Sequence, residues 1–349
     1  MAPPAQRVRP SGDQTPIRAP APAREQGPLD LVAADVGGTH ARIGLVRIGT
    51  DGRHEVLDHQ QYSCADHPSL AAILRAFLAR HEADRIVDAA VAIAGVLDGD
   101  VLVNSNLPWD VSLAGTRRDA GLRTLCLFND FEALAFAVPH VEPPQAILLC
   151  GVPDAQVGGP VLVLGPGTGL GAALYLPGVP PRVLPSEAGH AALAVGTARE
   201  LEVLRHLLGR WPHVDADRVL SGPGLVNTYQ ALCALDQAVP RLQAPAAVSE
   251  AARGGGDPHA AEALSMFCAL LGSFAGDLAL ALGARQVYLA GGIPARIAPY
   301  LHDSAFAARF RNKGVLAAHL ARTPVWLVDH GLLGLQGAAL AWAARDGSS

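Results

Sequence analysis

Residues 31–46 of the chain read LVAADVGGTHARIGLV, and this stretch decides how the first part of the protein folds. Two apolar, β-branched runs flank Gly37-Gly38-Thr39, a pattern that predicts two strands joined by a tight turn. The backbone N–H groups of such a turn can cradle an anion such as a nucleotide phosphate. Asp35 lies among apolar neighbours, where an unpaired carboxylate is costly, so a bound cation would explain it. An ordinary Gly-Gly hairpin with a turn-capping aspartate is the alternative that this stretch leaves open.

A second stretch of the same kind follows at residues 161–172, which read VLVLGPGTGLGA. An apolar strand again leads into a glycine-rich turn and out into another strand, and the glycines allow the backbone to approach a ligand closely. Two such hairpins could grip a triphosphate from both sides. The sequence has no GxxxxGK[ST] motif, which excludes a P-loop NTPase. The GxGxG spacing opens into a strand, whereas a dinucleotide-binding fold requires a helix there.

Length and composition describe a globular protein of 349 residues, long enough for two domains. A net charge of −5 without a basic stripe gives no indication of nucleic-acid binding. Five scattered cysteines without a CxxC pair predict the reduced thiols of a cytosolic protein. Residues 1–28 are rich in Pro and Ala and predict a disordered tail. The apolar run at 269–284 is interrupted by glycines and an aspartate, which predicts a buried helix and not a membrane span.

Strand and helix patterns alternate along the rest of the chain, and this alternation predicts an α/β fold. Strands are expected at 54–62, 86–94, 123–128, 146–150, 160–164, 171–176, 286–290 and 325–328. Helices are expected at 69–80, 130–138 and 198–208, within 222–284, and at 332–345. No internal sequence repeat is visible. The proline-rich segment at 139–144 breaks the pattern and is the expected boundary between two lobes.

Candidate catalytic residues occur at 125–132, LCLFNDFE, where an apolar strand delivers Asn129 and Asp130 at its carboxyl end. Ligand sites of α/β proteins form at such strand ends. Asp130 could be a general base that accepts a proton from a hydroxyl group. The alternative is a helix N-cap, a role that Asn and Asp often fill. Both readings hold if one residue caps the helix and the next catalyses.

Three further motifs carry polar or glycine residues at places where ligands bind. In SEAGH, Glu187 and His190 could both hydrogen-bond a polyol, and a metal site is the alternative. At 287–294, VYLAGGIP, a strand ends in Gly291-Gly292 and leaves room for a flat ring, unless this is a plain strand-to-helix turn. The segment DRVLSGPG at 217–224 restarts a helix, and its Gly-Pro-Gly could be purely structural.

Taken together, these motifs resemble the bacterial glucokinases of the actin-like sugar-kinase superfamily. The match runs in order from about residue 30 to 345 through DVGGTHAR, FNDFEA, GPGTGLG, SEAGH, RVLSGPGLVN, AGGI and GLLG. The resemblance implies a two-lobed, actin-like ATPase (ribonuclease-H-like) fold with mixed sheets flanked by helices and an active site in the cleft between the lobes. It implies a small α/β lobe at 29–140, rejoined by a C-terminal helix at 331–349, and a large α/β lobe at 141–330.

The resemblance also implies ATP, Mg²⁺ and phosphorylation of the 6-hydroxyl of glucose, with Asp130 as the general base. The sugar ligands that it implies are Asn106, Asn129, Asp130, Glu187, His190 and Asp217. The nucleotide contacts that it implies are Ala34, Asp35, Val36, Gly37, Gly38, Thr39, Gly165, Gly167, Thr168, Gly169, Gly291 and Gly292. Asp35 is also expected to help to hold Mg²⁺ through the nucleotide or a water molecule. We expect a cytoplasmic homodimer without nucleic-acid or membrane partners.

Several residues depart from the family pattern, which leaves the preferred sugar and its affinity open. They are His40, Val96, Ser186, Ala188 and Asp217, the last standing where the family often has a sugar-binding glutamate. Two alternatives therefore stay open: a sugar-binding regulatory protein with little or no turnover, and a kinase for another hexose. The Cys-rich zinc loop of the broader ROK group is absent from the sequence, and no helix-turn-helix precedes the kinase region, so a repressor is not expected.

Overall fold

The computed structural model describes residues 28–49, 53–81, 86–103, 107–141, 145–153 and 158–346. The tail expected at 1–28 lies outside these residues except for Pro28, and so does the expected sugar ligand Asn106. Within the described ranges the chain forms strands, α-helices and short 3₁₀ turns, as an α/β fold requires.

The strands are numbered along the chain. They are β1 (Leu29–Val36), β2 (His40–Ile48), β3 (His54–Ser63), β4 (Asp88–Ile93), β5 (Val96–Asp98), β6 (Val101–Val103), β7 (Val111–Ser112), β8 (Thr124–Phe128), β9 (Ala146–Cys150), β10 (Val161–Pro166), β11 (Leu170–Leu176), β12 (Arg182–Ser186), β13 (Gln286–Leu289) and β14 (Val325–Val328).

The α-helices are numbered in the same way. They are α1 (Leu70–Leu78), α2 (Leu113–Asp119), α3 (Asp130–Ala137), α4 (Ala198–Leu208), α5 (Gly222–Leu235), α6 (Pro245–Gly254), α7 (Pro258–Ala281), α8 (Gly292–Arg296), α9 (Ala298–Asp303), α10 (Phe306–Arg311), α11 (Ala317–Leu320) and α12 (Leu333–Asp346).

The first sheet has the strand order β3-β2-β1-β4-β8. Strands β1 and β2 form the predicted antiparallel hairpin, in which Val36 lies opposite Ala41. Strand β1 also pairs in parallel with β4, and β4 with β8. The buried strands β1 and β4 therefore end at the same edge of the sheet, close to the start of α3, which follows β8 directly.

The second sheet has the order β12-β11-β10-β13-β14-β9. Its strands β10 and β11 form the second predicted hairpin, and β10 pairs in parallel with β13. The first five strands of this sheet thus repeat the arrangement of the first sheet: an antiparallel meander on one side of a central strand, and parallel partners on the other. The strand arrangement is repeated in the structure although the sequence shows no internal repeat.

Helices α3 and α12 join the two sheets into one structure. Apolar residues of α12, among them Leu335 and Trp342, form one buried cluster with Leu31 and Ala90 of the first sheet. On its other side, α3 shares a buried cluster with β10 and β11 of the second sheet. The return of the C-terminal helix to the first sheet agrees with the expected chain path, while the lobe boundaries themselves stay a prediction.

The long apolar helix α7 packs at the centre of the second half of the protein. By length and composition it is the one described helix that could cross a membrane, but 72% of its most apolar window is buried inside the protein. Its residues Leu264, Phe267 and Leu271 belong to the largest buried cluster. The expectation of a buried helix in this region is thereby confirmed.

Most predicted strands and helices occur within three residues of the expected bounds. The sequence analysis missed the small sheet β5-β6-β7, whose strands have only two or three residues. The strand β12 and the helices α2, α9, α10 and α11 were not predicted either. Such short elements carry too few residues for a periodic pattern, and long-range packing decides them.

Candidate active site

Asp35 lies near the carboxyl end of β1 and faces groups from distant parts of the chain. Its side chain is 14% exposed, and Oδ2 lies 3.7 Å from His330 Nδ1 and 3.9 Å from Arg42 Nη1. Burial raises the pKa of Asp35, and the charges of His330 and Arg42 oppose this rise. The carboxylate is therefore partnered within the protein, which the apolar sequence around it does not show.

The turn at residues 37–39 is exposed, and Cys64 makes hydrogen bonds to its backbone. The amide of Gly37 donates to the carbonyl of His40, and the amide of Cys64 donates to the carbonyl of Thr39. The thiol of Cys64 lies 3.4 Å from the carbonyl oxygen of Gly37. The tip thus has a fixed shape, with its glycines open to solvent, as an anion-binding turn requires.

Asn129 fills one of the two roles that the sequence left open, the helix cap. The side-chain oxygen of Asn129 accepts hydrogen bonds from the amides of Phe131 and Glu132, which makes Asn129 the N-cap of α3. Asp130 is the first residue of the helix. Burial raises the pKa of Asp130, the hydrogen bond from the Phe131 amide lowers it, and the nearby charge of Asp35 raises it. A carboxylate in this environment is more basic than a free aspartate, which suits a proton acceptor.

A pocket of about 250 Å³ lies beside this helix start. Its polar lining includes Asn129 and Glu187, which come from the two different sheets. Its apolar lining comes from Ile93, Gly95, Val96, Leu97, Leu102, Leu127, Phe128 and Pro185. The volume is below the range of drug-sized sites and suits a small ligand. The pocket brings together two of the expected sugar ligands.

His190 lies at the end of the short turn Ala188–His190, and Asp215 holds its ring. The distance from His190 Nδ1 to Asp215 Oδ2 is 3.2 Å, and the ring is 67% exposed. The other oxygen of Asp215 accepts a hydrogen bond from the Arg218 amide. Asp215 therefore orients an accessible imidazole, and the sequence analysis did not single it out.

Asp217 contacts the second glycine-rich turn. Its Oδ1 accepts a hydrogen bond of 2.6 Å from the amide of Leu170, the residue that follows the turn. Its own amide donates to the carbonyl of Gly189. One carboxylate oxygen of Asp217 thus holds the turn, and its expected role as a sugar ligand stays a prediction.

The second turn, Gly167-Thr168-Gly169, lies beside two other glycine motifs. The amide of Gly222 at the start of α5 donates to the carbonyl of Gly167 over 2.8 Å. Gly291 has a φ of +100°, and a side chain there would crowd the carbonyl of Pro166 at 3.1 Å. Only glycine suits such a position. Three backbone segments thus converge at one place, which is where a nucleotide could lie against exposed amides.

Three of the expected nucleotide residues lie in packed positions of the sheets. Ala34 and Val36 have buried side chains, and their backbones pair with strands on both sides. Gly165 is buried as well, and a side chain there would meet the ring of Phe131 and the carbonyl of Ala290. All three contribute to the packing of the sheets, and their contact with a nucleotide stays a prediction.

The sequence analysis also missed His330 and Arg42 as members of this site. Arg42 follows the first glycine turn within the DVGGTHAR motif, so its register opposite Asp35 was a usable signal. His330 carries no such signal, because 294 intervening residues separate it from Asp35. Among the described residues, no three His, Cys, Asp or Glu side chains form a group that could hold a metal ion. A cation bound here would depend on phosphate oxygens in addition to Asp35, as is usual for Mg²⁺.

Comparison with known proteins gives a consistent result. The family description "Glucokinase" matches residues 32–345. A glucokinase-like protein of Xylella fastidiosa is 45% identical over 326 residues, covering 92% of this chain and 97% of the relative. A glucokinase from an Antarctic psychrotroph superposes with a TM-score of 0.81 at 32% identity, covering 89% of this chain and 98% of that one.

A more distant structure shares the fold. The glucokinase of Balamuthia mandrillaris, solved in complex with glucose, has a TM-score of 0.68 at 22% identity and covers 91% of this chain and 94% of its own. The sheet order, the two glycine turns and these relatives agree on an actin-like sugar-kinase fold. The chain belongs to the glucokinase family.

Proposed function

We propose that the protein is an ATP-dependent kinase that transfers the terminal phosphoryl group to the 6-hydroxyl of glucose. One observation carries the proposal: Asp130 is half-buried at the start of α3, next to Asn129, which lines the small pocket together with Glu187. Family membership supports a sugar kinase, and the glucose bound to the Balamuthia relative supports glucose as the sugar.

Asp130 would accept the proton of the attacking hydroxyl. Phosphoryl transfer needs alignment and charge neutralisation more than covalent catalysis, so one well-placed base is sufficient. The raised pKa of Asp130 favours this role, because a stronger base takes the proton more readily. The cap formed by Asn129 fixes the helix start and hence the direction of the Asp130 side chain.

The sugar would lie between Asn129 and Glu187, with His190 held by Asp215 at the same side of the cleft. Carboxylate and amide oxygens accept hydrogen bonds from hydroxyl groups, and charged acceptors make the stronger ones. The apolar side chains of the pocket would cover the carbon face of the ring. Asn106, which lies outside the described residues, stays a predicted contact.

The nucleotide would lie along the exposed turns at 37–39 and 167–169, with its base toward Gly291-Gly292. The backbone amides of such turns bind phosphate oxygens. Mg²⁺, when bound, supplies positive charge to the phosphates, and Asp35 is the carboxylate available to it. We further propose a cytoplasmic homodimer, with lobes at 29–140 and 141–330 that close on the substrates.

The test is the Asp130→Asn variant. It preserves size and hydrogen bonding but removes the base, and we expect kcat to fall roughly 100-fold or more with little change in sugar affinity. Glu132→Gln is the matched control, because Glu132 lies on the same helix and its carboxylate contacts Arg345 at 3.4 Å. Normal turnover by Asp130→Asn would leave Asp130 as a structural residue only.

A sugar-binding protein with little turnover is the second candidate, and the first-mentioned relative is named glucokinase-like. The engagement of Asp217 with the turn at 167–169 also leaves the pocket with one acceptor fewer than expected. Release of ADP with a panel of hexoses separates the candidates. Stabilisation by a sugar without ADP release would select the binding protein, and turnover with a different hexose would replace glucose as the substrate.

A further inference from the structure

Arg42 connects the first glycine hairpin to the C-terminal part of the chain. Its Nη1 donates a hydrogen bond of 3.0 Å to the carbonyl of Gly331, 289 positions away in sequence. The same Nη1 lies 3.9 Å from Asp35 Oδ2. Arg42 and Asp35 are directly opposite each other in the β1–β2 pairing, so both side chains project from the same face of the sheet.

The turn at residues 329–332, between β14 and α12, surrounds Asp35 from the other side. His330 Nδ1 lies 3.7 Å from Asp35 Oδ2. Gly334, in the first turn of α12, approaches so closely that a side chain there would lie 2.7 Å from Asp35 Cγ. Asp35 is thus enclosed by its own hairpin on one side and by the turn at 329–332 and the start of α12 on the other. Arg42 donates a hydrogen bond from the hairpin to this turn.

The turn depends on few internal bonds. The amide of Gly331 donates to Asp329 Oδ1 over 3.3 Å, and the amide of Leu333 donates to the carbonyl of His330 over 2.8 Å. The side chain of Asp329 belongs to the turn itself, so these bonds shape the turn without fixing its place. Two polar contacts attach the turn to the first sheet: the hydrogen bond of 3.0 Å from Arg42 and the longer contact of 3.7 Å between His330 and Asp35.

We propose that Arg42 is a positioning residue for phosphoryl transfer: it fixes the turn at 329–332 against Asp35 and thereby makes the C-terminal turn part of the reaction site. This inference rests on the proposed kinase function and deepens it. The guanidinium group suits the task because its separate N–H donors can serve a carbonyl and face a carboxylate at once. Lysine has a single charged centre and reproduces only part of this geometry.

The experiment compares Arg42→Met, Arg42→Gln and Arg42→Lys with the full-length wild type. We expect Arg42→Met to lower kcat roughly 10- to 100-fold, with the KM for the sugar changed less than about twofold, because the pocket lined by Asn129 and Glu187 is intact. Arg42→Lys should recover part of kcat, and Arg42→Gln less, since the side chain of Gln is shorter than that of Arg and carries no charge.

Arg47→Met is the matched control. Arg47 also lies on β2 and pairs with the residue directly opposite on β1, through bonds of 2.7 and 2.8 Å to the carboxylate of Asp30. Its pair lies at the far end of the hairpin and is exposed. Loss of Arg47 should leave kcat within about twofold, because an exposed ion pair contributes little to stability and does not touch Asp35.

Amide hydrogen exchange provides a readout that does not depend on activity. In Arg42→Met the amide of Leu333 should exchange at least about fivefold faster than in the wild type, since the turn has lost its attachment. In Arg47→Met it should not change. Melting temperatures of all variants show whether each is folded. If Arg42→Met does not fold, exchange of the Leu333 amide is compared between Arg42→Lys and the wild type.

Faster exchange together with the kcat loss supports the inference. Unchanged exchange in Arg42→Met would overturn the attachment, and unchanged kcat with faster exchange would overturn the functional role. Loss of kcat in proportion to the unfolded fraction would also overturn it. A wild type that phosphorylates no hexose would instead disprove the proposed function, and exchange would then decide whether Arg42 holds the turn.

Discussion

The ring of Phe131 occupies the space that a side chain at Gly171 would need. A Cβ atom built at Gly171 overlaps the ring, and one built at Gly165, directly opposite in the β10–β11 pairing, also lies within 3 Å of it. Phe131 follows Asp130 in α3. Gly165 and Gly171 therefore allow α3, the helix that carries the candidate base, to pack closely against the second hairpin. This role is additional to any role in nucleotide binding.

We expect Gly171→Ala to destabilise the protein by about 1–3 kcal/mol, the usual cost of overpacking, and to lower kcat. The added methyl group must displace Phe131 and with it the start of α3. Urea unfolding and turnover measure the two effects. Phe131→Leu in the Gly171→Ala background should recover part of the stability. Gly254→Ala is the control, since nothing lies within 4 Å of a Cβ atom there; equal losses in both variants would contradict the prediction.

Asp215→Asn should weaken sugar binding without abolishing turnover. The carboxylate holds the ring of His190 at 3.2 Å, and an amide loses the charge that orients it. A loss of about 1 kcal/mol corresponds to a roughly fivefold higher KM for the sugar. Asp236→Asn is the control, because Asp236 contacts His259 at a comparable 3.1 Å in a different cluster. If both variants keep the wild-type KM, His190 does not depend on Asp215 for sugar binding.

Asp217→Ala should raise the KM for ATP more than the KM for the sugar. Its carboxylate bonds the amide of Leu170 at the end of the 167–169 turn, so its loss should disturb the phosphate side of the site. Initial rates with each substrate varied in turn measure the two constants, and we expect a severalfold change for the loss of one charged hydrogen bond. A larger change in the KM for the sugar than in the KM for ATP would indicate that Asp217 is a sugar ligand.

Glu200→Gln should cost about 3–5 kcal/mol of stability at neutral pH, because it leaves Arg309, whose side chain is only 14% exposed, without its charged partner. Glu200 is 3% exposed, and both of its oxygens contact Arg309. It also completes the capping box of α4 with Thr197. The control on the same helix is Glu202→Gln. Glu202 forms an exposed ion pair with Arg199 at 3.2 Å, and its loss should lower the free energy of unfolding by less than about 1 kcal/mol.

The effect of Glu200→Gln should depend on pH. Burial raises the pKa of Glu200, but the Arg309 guanidinium and the amides of Gly196 and Thr197 outweigh it and lower the pKa below 4.5. The stabilisation is therefore complete above pH 4.5 and is lost as the pH falls through the lowered pKa of the folded state. The difference between wild type and variant in urea unfolding should shrink in that range. A difference that stays constant down to pH 3 would contradict the linkage.

The sequence alone determined the elements whose signals lie within a few residues. The strand-turn-strand pattern around Gly37 and Gly167 gave both hairpins, because apolar runs and glycines act locally. The N-cap was one of two readings of the FNDFE motif, and the structure assigns it to Asn129, while Asp130 is the half-buried first residue of the helix. The fold class followed from the order of these elements.

Tertiary structure decided everything that depends on how distant elements dock. The sequence contains no repeat, yet both sheets share one strand order, because backbone pairing tolerates almost any apolar side chain. The packing of Phe131 against Gly165 could not be predicted from the sequence, since only the docked α3 places the ring there. The contacts of Asp35 with His330, and of Asp217 with Leu170, join residues that no sequence pattern connects. Long-range packing brings them together, and that information is carried by the whole chain and not by any one motif.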